Sequence, residues 1–203
     1  MVKTSLMGGA MGILSEFWYF KDYWRPPSIL GQGVTSIEDF LFGFFITGIA
    51  VSIYDIVFGF KNISGEKPHK LLFGLLFILV MSSLLFLSTW KGVNSILVSE
   101  IAFLLCTVII VLIRKDLLKP ALISGLLLVL VILPIYVLLF NILSPNFWRL
   151  YWLLNQTKFG ILVFGDIPLT ELFWYFYWGC FCGAGHNFYS GTKKVPLIKI
   201  SGQ

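Results

Sequence analysis

The sequence predicts an all-α membrane protein, a polytopic helical bundle of about six spans, with seven as an open alternative. Hydrophobic residues make up 58% of the 203 residues and charged residues only 12%, whereas a soluble domain has about 25% charged residues. The apolar residues also form long blocks, and residues 71–89 and 120–143 contain no charge. Each block reaches the roughly 20 residues that a helix needs to cross about 30 Å of hydrocarbon.

The apolar blocks and the residues between them predict the order of the elements along a single membrane domain, residues 1–203. The predicted helices span residues 5–20, 37–60, 70–89, 94–113, 120–143 and 168–190. The segment 144–167 is too polar to span and is rich in Trp and Tyr, which is typical of the membrane interface. The loop 21–36 has the same character, and Pro26 and Pro27 exclude a helix there.

The basic residues indicate a membrane surface and not a nucleic acid. The net charge is +5, but Lys and Arg lie almost wholly between the apolar blocks, as in the loops of a membrane protein. With six spans, ten of the 15 Lys and Arg residues fall on the side of both termini. The positive-inside rule then predicts a multi-pass protein in the lipid bilayer with cytoplasmic termini. We expect no nucleic-acid partner, and a homo-oligomer is an open alternative.

Two stretches of the chain resemble each other, which predicts an internal parallel repeat. Residues 37–40 align with 169–172 at an offset of 132, the difference between positions 37 and 169. The same offset matches Gly33 with Gly165, Phe44 with Phe176, Gly59 with Gly191 and Lys61 with Lys193. With small gaps, the residues before each stretch also match, including Tyr23-Trp24 with Tyr151-Trp152. Copy one covers about 5–61 and copy two about 120–194, joined by spans at about 70–113 and related by an axis near the membrane normal.

Acidic side chains inside apolar spans cost about 3 kcal/mol or more at the bilayer centre, and they mark functional sites by default. The acids in or near predicted spans are Glu16, Glu38, Asp39, Asp55, Glu100 and Glu171. We take Glu38, Asp39 and Glu171 as the candidate catalytic residues. Glu38 and Asp39 lie at the start of the second span in copy one, and Glu171 lies at the start of the last span in copy two. The alternative is helix capping, since a carboxylate in a first turn also offsets the helix dipole.

Aromatic residues crowd these acids and could bind a substrate. The candidate substrate-binding residues are Trp18, Trp24, Phe42, Tyr54, Trp174, Trp178 and His186. An interfacial aromatic belt accounts for some of them, but aromatic rings also stabilise a cation within about 6 Å. Acids in an apolar, ring-lined pocket could keep their protons and protonate an alkene, while the rings hold the carbocation. That chemistry is what an isoprenoid cyclase requires.

No metal site is predicted. Cys180 and Cys182 are two residues apart, so on a helix they point to different faces, and neither they nor Cys106 have a nearby second pair. His186 is more typical of a hydrogen-bonded packing residue than of a metal ligand, since no second histidine lies in a span.

Residues 36–43 and 168–174 resemble the proline-and-paired-acid motif of the lycopene cyclase domain family. These small membrane cyclases occur as heterodimers in some bacteria and as fused repeats in archaea and fungi. The stretch 17–27 is similar to the segment before that motif in archaeal-type members. The resemblance covers about residues 13–61 and 142–193 and not the middle spans.

The resemblance implies an intramolecular lyase or isomerase that cyclises a polyprenyl or carotenoid substrate without redox change or cofactor. Glu38 and Asp39 match the paired acids, and Glu171 matches the second acid of the other pair. Ser36 stands in place of the motif's proline in copy one, and Thr170 replaces the first acid in copy two. Cyclisation of one end of lycopene, action on another polyprenyl chain and loss of activity therefore stay open.

Two other functions remain as alternatives. A Mg²⁺-dependent prenyltransferase would need acids spaced three or four apart on a helix, and these acids are not so spaced. A non-catalytic isoprenoid- or lipid-binding protein, or a small transporter built on the repeat, would need the cavity without the chemistry.

Overall fold

The computed structural model describes residues 2–29 and 33–197, which form six long helices and one short one. The helices are α1 (Val2–Asp22), α2 (Ile37–Phe58), α3 (Lys70–Ser83), α4 (Ser95–Ile113), α5 (Leu118–Val137), α6 (Phe147–Tyr151) and α7 (Leu169–Ser190). A 3₁₀ turn (Lys115–Leu117) precedes α5, and π-helical turns extend α3 to Trp90 and α5 to Leu143. The all-α prediction is confirmed, and every predicted long helix is present with bounds within about three residues.

Within the described residues, four helices are long and apolar enough to cross a membrane. They are Ile37–Phe58, Lys70–Trp90, Ser95–Ile113 and Lys115–Leu143. Helices α1 and α7 have similar lengths, 21 and 22 residues, but they are less apolar than the other four. The many exposed Leu, Ile, Val and Phe side chains on the outer faces of the bundle are what a lipid surrounding stabilises.

Glycines bring two pairs of helices, α1 with α2 and α5 with α7, into backbone contact. A Cβ atom added at Gly12 of α1 would lie 2.2 Å from the carbonyl oxygen of Asp39 in α2, and one at Gly43 would lie 2.3 Å from the carbonyl oxygen of Gly8. Helices α5 and α7 approach each other in the same way at Gly125, Gly179 and Gly183. Close approach at small residues is how helices associate in membranes, where van der Waals packing is the main attraction.

Two short strands join the ends of α2 and α7. Both helices end at a glycine in the left-handed conformation, Gly59 (φ 63°) and Gly191 (φ 68°). The strands that follow, β1 (Phe60–Ser64) and β4 (Thr192–Pro196), pair antiparallel with Asn62 opposite Lys194 at the centre. The sequence did not predict these strands, because their pairing is a long-range contact and their composition is that of a polar loop.

The segment between α5 and α7 contains only the short helix α6, which cannot span a membrane, as predicted. Its tryptophans, however, do not lie at the surface. Trp148 and Trp152 are only 1% and 3% exposed. Trp148 stacks on Trp24 from the first loop with ring centroids 5.6 Å apart, and Trp24 and Trp152 form an isolated antiparallel bridge. A short hairpin leads into α7, and its strands β2 (Leu162–Val163) and β3 (Ile167–Pro168) have two residues each.

Candidate functional site

An elongated cavity of about 750 Å³ lies between α1, α2, α3 and α7. Its walls are mostly apolar side chains from these four helices, with contributions from α4, α5 and α6. Its lining includes Glu171 near the start of α7 and His186 near its end, which are about 22 Å apart at the helical rise of 1.5 Å per residue. The shape fits a long, narrow, apolar ligand.

All three candidate catalytic acids line one end of this cavity, together with a fourth acid from α1. Glu171 and Glu16 are buried, 8% and 7% exposed, and Glu38 and Asp39 are half-buried. The four residues reach the same end from three different helices. The structure therefore brings together acids that are up to 155 positions apart in the chain, from Glu16 to Glu171.

Tyrosine hydroxyls from two other elements hold the Glu171 side chain in place. The Tyr23 hydroxyl, at the end of α1, donates to Glu171 Oε1 at 2.7 Å, and the Tyr136 hydroxyl of α5 donates to Oε2 at 3.3 Å. Tyr136 also shares a hydrogen bond with the hydroxyl of Tyr175. Because Tyr23 is 1% exposed and Tyr175 is fully buried, this network fixes the carboxyl group in a region largely without water.

Glu38 and Asp39 have hydrogen-bond partners in the residues before α2 as well as a place on the cavity. Asp39 Oδ2 accepts hydrogen bonds from the backbone N–H of Ser36 at 2.6 Å and from its hydroxyl at 2.8 Å. Glu38 Oε1 accepts from the backbone N–H of Ile29 at 2.7 Å and from the Ser28 hydroxyl at 3.2 Å. Ser36 and Asp39 therefore form a capping box at the start of α2, and this capping does not exclude a second role for Asp39.

Glu16 is a site residue that the choice of catalytic acids left out. Its Oε1 accepts a long hydrogen bond, 3.4 Å, from the indole N–H of Trp24, and it lies within electrostatic range of Asp39 and Glu171. The signal in the sequence was a single glutamate in the first apolar block, without the repeated motif that marks the other acids.

The remaining acids have other places in the fold. Asp166 forms an ion pair of 2.8 Å with Arg149, and Asp55 forms one with Lys194 beside the β1–β4 pair. Glu100 is 7% exposed, and its Oε1 has no hydrogen-bond partner among residues 2–29 and 33–197. Its carboxyl group interacts electrostatically with that of Glu171, but Glu100 does not line the cavity.

Five of the seven candidate substrate-binding residues line the cavity. They are Trp24, Phe42, Trp174, Trp178 and His186. The other two do not: the Trp18 indole N–H donates to the Thr89 hydroxyl at 3.0 Å, and the Tyr54 ring packs against Phe58 and Phe60. None of these three partner residues lines the cavity.

Ring contacts fix the orientation of the aromatic wall near the acids. Trp174 and Trp178 stack with centroids 5.7 Å apart, and Phe42 packs against Trp174 at 6.2 Å. The Trp174 indole N–H also donates to the Tyr19 hydroxyl at 3.0 Å. Rings held in this way can offer preorganised π-systems to a cationic centre in the cavity.

In the part of the chain that the structure describes, no three His, Cys, Asp or Glu side chains come close enough to hold a metal ion. The carboxylates at the acid end instead have hydroxyl, indole and backbone N–H donors as partners.

Residues 94–189 match the family model of lycopene cyclases. The match covers α4, α5, α6 and nearly all of α7, so it includes Glu171 but neither Glu38 nor Asp39. The sequence had placed the resemblance at both ends of the chain; the match instead includes the middle helices α4 and α5. No curated protein and no solved structure matches the chain.

The match and the four apolar helices together indicate an integral membrane protein. The predicted resemblance to lycopene cyclases is thus confirmed over residues 94–189, a little under half of the chain.

Proposed function

We propose that this protein is an integral-membrane isoprenoid or carotenoid cyclase that acts by protonating a terminal alkene. One observation supports the proposal most: the buried Glu171, fixed by Tyr23 and Tyr136, lies at one end of an elongated apolar cavity. The match of residues 94–189 to lycopene cyclases agrees with it.

The reaction is an isomerisation in which atoms and electrons balance. The acid transfers a proton to one carbon of the terminal double bond, and the π electrons of that bond form the new C–H bond. The neighbouring carbon becomes a carbocation, which the π electrons of an internal double bond attack to close the ring. The cation that results loses a proton to a carboxylate, so the product has the formula of the substrate and no redox cofactor is involved.

We assign Glu171 as the proton donor because it is the acid held by two hydroxyl groups inside the protein. Glu38 and Asp39, on the facing helix α2, would receive the released proton and stabilise positive charge. Glu16 adds a further carboxyl group within electrostatic range of Asp39 and Glu171. The rings of Trp174 and Trp178 would stabilise the carbocation through their π-systems.

We further propose six spans with two copies related by a two-fold axis along the bundle, and cytoplasmic termini. Helices α2 and α7 each have 22 residues and start at positions 37 and 169. Where a two-fold axis passes through a pair of elements, a residue on the axis lies opposite its own equivalent in the other copy. That pattern occurs at both ends of the molecule, at Asn62–Lys194, which have the repeat offset of 132, and at the aligned Trp24–Trp152. The two pairs support an axis parallel to the helices.

A non-catalytic isoprenoid-binding protein is the second candidate, because the same apolar cavity would suit it. The two functions differ in turnover. A binding protein would release its ligand unchanged, while a cyclase would release an isomer of equal mass that contains a new ring.

The test is to express the protein in cells that accumulate lycopene or shorter polyprenyl chains and to separate the products by chromatography. We expect a cyclic isomer with the wild type and about 100-fold less or none with Glu171→Gln, given the usual contribution of an acid catalyst. Glu66→Gln is the matched control, because Glu66 forms only a surface ion pair with Lys193. Bound but unchanged isoprenoid in the wild type would favour the binding protein.

A further inference from the structure

The cavity has a second polar end, opposite to the acids. Lys3 and Thr4 from the start of α1, and His186 and Ser190 from the end of α7, line it there. The Thr4 hydroxyl lies 3.3 Å from Nδ1 of His186, so the two helix ends meet at this place. The cavity thus passes from carboxyl groups, through an apolar section, to hydrogen-bonding groups and a cation.

The section between the two ends is apolar over most of its length. It includes the side chains of Met7, Met11, Ile46, Phe77, Val80 and Phe181. A hydrocarbon that filled the whole cavity would press an apolar terminus against Lys3 and His186. Such a ligand would remove water from polar groups without replacing their hydrogen bonds, which costs free energy.

Lys3 is available to bind a ligand, whereas two lysines of β4 at the same end of the bundle are already paired. Lys194 is paired with Asp55, and Lys193 is paired with Glu66 at 2.6 Å. Burial lowers the pKa of Lys194, although Asp55 opposes that shift. Among the cavity-lining residues that the structure describes, Lys3 is the one lysine or arginine, and it forms no ion pair there.

We propose that this end of the cavity binds the terminal oxygen of the ligand, so that the substrate is a single-ended isoprenoid with a hydroxyl or phosphate terminus. Lys3 and Thr4 would donate hydrogen bonds to that oxygen, and His186 would contact it. The alkene end of the same molecule would then reach the acids about 22 Å away. This inference rests on the proposed function, because it names the substrate class of the same cavity.

A single-ended substrate also fits the unequal copies of the repeat. The acid end has one complete pair of motif acids, Glu38 and Asp39, and the second copy has only Glu171. A ligand anchored by its polar terminus presents one alkene end to the acids, and one ring closure per molecule needs only one set of acids.

The test is a binding titration of the purified full chain in detergent, followed through the intrinsic tryptophan fluorescence, to which Trp24, Trp174 and Trp178 on the cavity wall contribute. The probes are geranylgeraniol, geranylgeranyl phosphate and the hydrocarbon of the same chain length without oxygen. We expect the alcohol or the phosphate to bind at least about tenfold more tightly than the hydrocarbon. Equal binding of all three probes would overturn the proposal.

Variants separate the two oxygen chemistries. Lys3→Gln should weaken the phosphate about tenfold and the alcohol little if the terminus is anionic; Thr4→Val and His186→Phe should weaken both oxygen-bearing probes and leave the hydrocarbon unchanged. Lys70→Gln, at the exposed start of α3 and outside the cavity, is the matched control. If all variants bind the oxygen-bearing probes as the wild type does, the subsite is refuted.

The same preparation distinguishes this inference from the proposed function. Tight, selective binding without any cyclic product would refute the cyclase and keep the subsite. Turnover with no preference for an oxygen-bearing probe would refute the subsite and keep the cyclase.

Discussion

Glu171 obtains its hydrogen bonds from residues that are far from it in the chain. Tyr23 is 148 positions away and Tyr136 is 35 positions away. A carboxyl group in an apolar helix is a strong signal in a sequence, because its cost must be compensated. A tyrosine near a helix end is a weak one, because interfacial belts contain many of them. The acid could therefore be predicted, and the tyrosines that position it could not.

Removal of the Tyr23 hydroxyl tests this positioning. In Tyr23→Phe, Glu171 Oε1 loses its donor at 2.7 Å, and an unsatisfied buried polar group costs about 1–3 kcal/mol. We expect lower thermal stability in detergent and at least about tenfold less cyclic product, with the same product identity. Tyr151→Phe, whose ring packs on Phe147, is the control. Wild-type product formation by Tyr23→Phe would contradict the assigned role.

At the scale of the elements, the helices were predictable and their faces were not. Long apolar blocks locate a span well. When a helix is apolar on all sides, however, its sequence does not show which side faces the rest of the protein. Trp18 and Tyr54 were expected in the cavity for this reason, and they contact Thr89 and Phe58 instead. The β1–β4 pair was not predictable either, because it depends on how the ends of α2 and α7 are placed.

The glycine contact between α1 and α2 forms one wall of the cavity and gives an element-scale prediction. A side chain at Gly43 would collide with the backbone of Gly8, with the added Cβ only 2.3 Å from its carbonyl oxygen. We expect Gly43→Val to separate the helices and lower stability by about 1–3 kcal/mol, measured by thermal unfolding in detergent, with weaker isoprenoid binding. Gly74→Val is the control, because nothing lies within 4 Å of a Cβ there. Equal effects of both variants would contradict the close packing.

At the scale of the whole molecule, the sequence indicated the membrane class and the family, and the structure adds the cavity. The acids of α1, α2 and α7 could each be found in the sequence, but their meeting at one end of a single cavity follows from tertiary packing. The polar residues at the other end were not singled out as a group, because Lys3 and Ser190 are ordinary residues for helix ends.

The orientation in the membrane is a prediction at this scale. With cytoplasmic termini, Lys61 lies inside and Lys158 lies outside, and both side chains are exposed. In intact cells, a membrane-impermeant maleimide should label Lys158→Cys at once and Lys61→Cys only after permeabilisation. The native cysteines are buried and serve as the unlabelled background. The opposite labelling pattern would place the termini outside.

The measurement that tests the central claim most directly is the reaction in deuterated water. Cyclisation that starts with proton transfer from an acid, itself in exchange with the solvent, incorporates a solvent hydrogen into a new C–H bond. We predict a cyclic product that is one mass unit heavier per ring when it is formed in D₂O, and no such product with Glu171→Gln. A cyclic product without deuterium, or one with a changed hydrogen count, would contradict protonation by this carboxyl group.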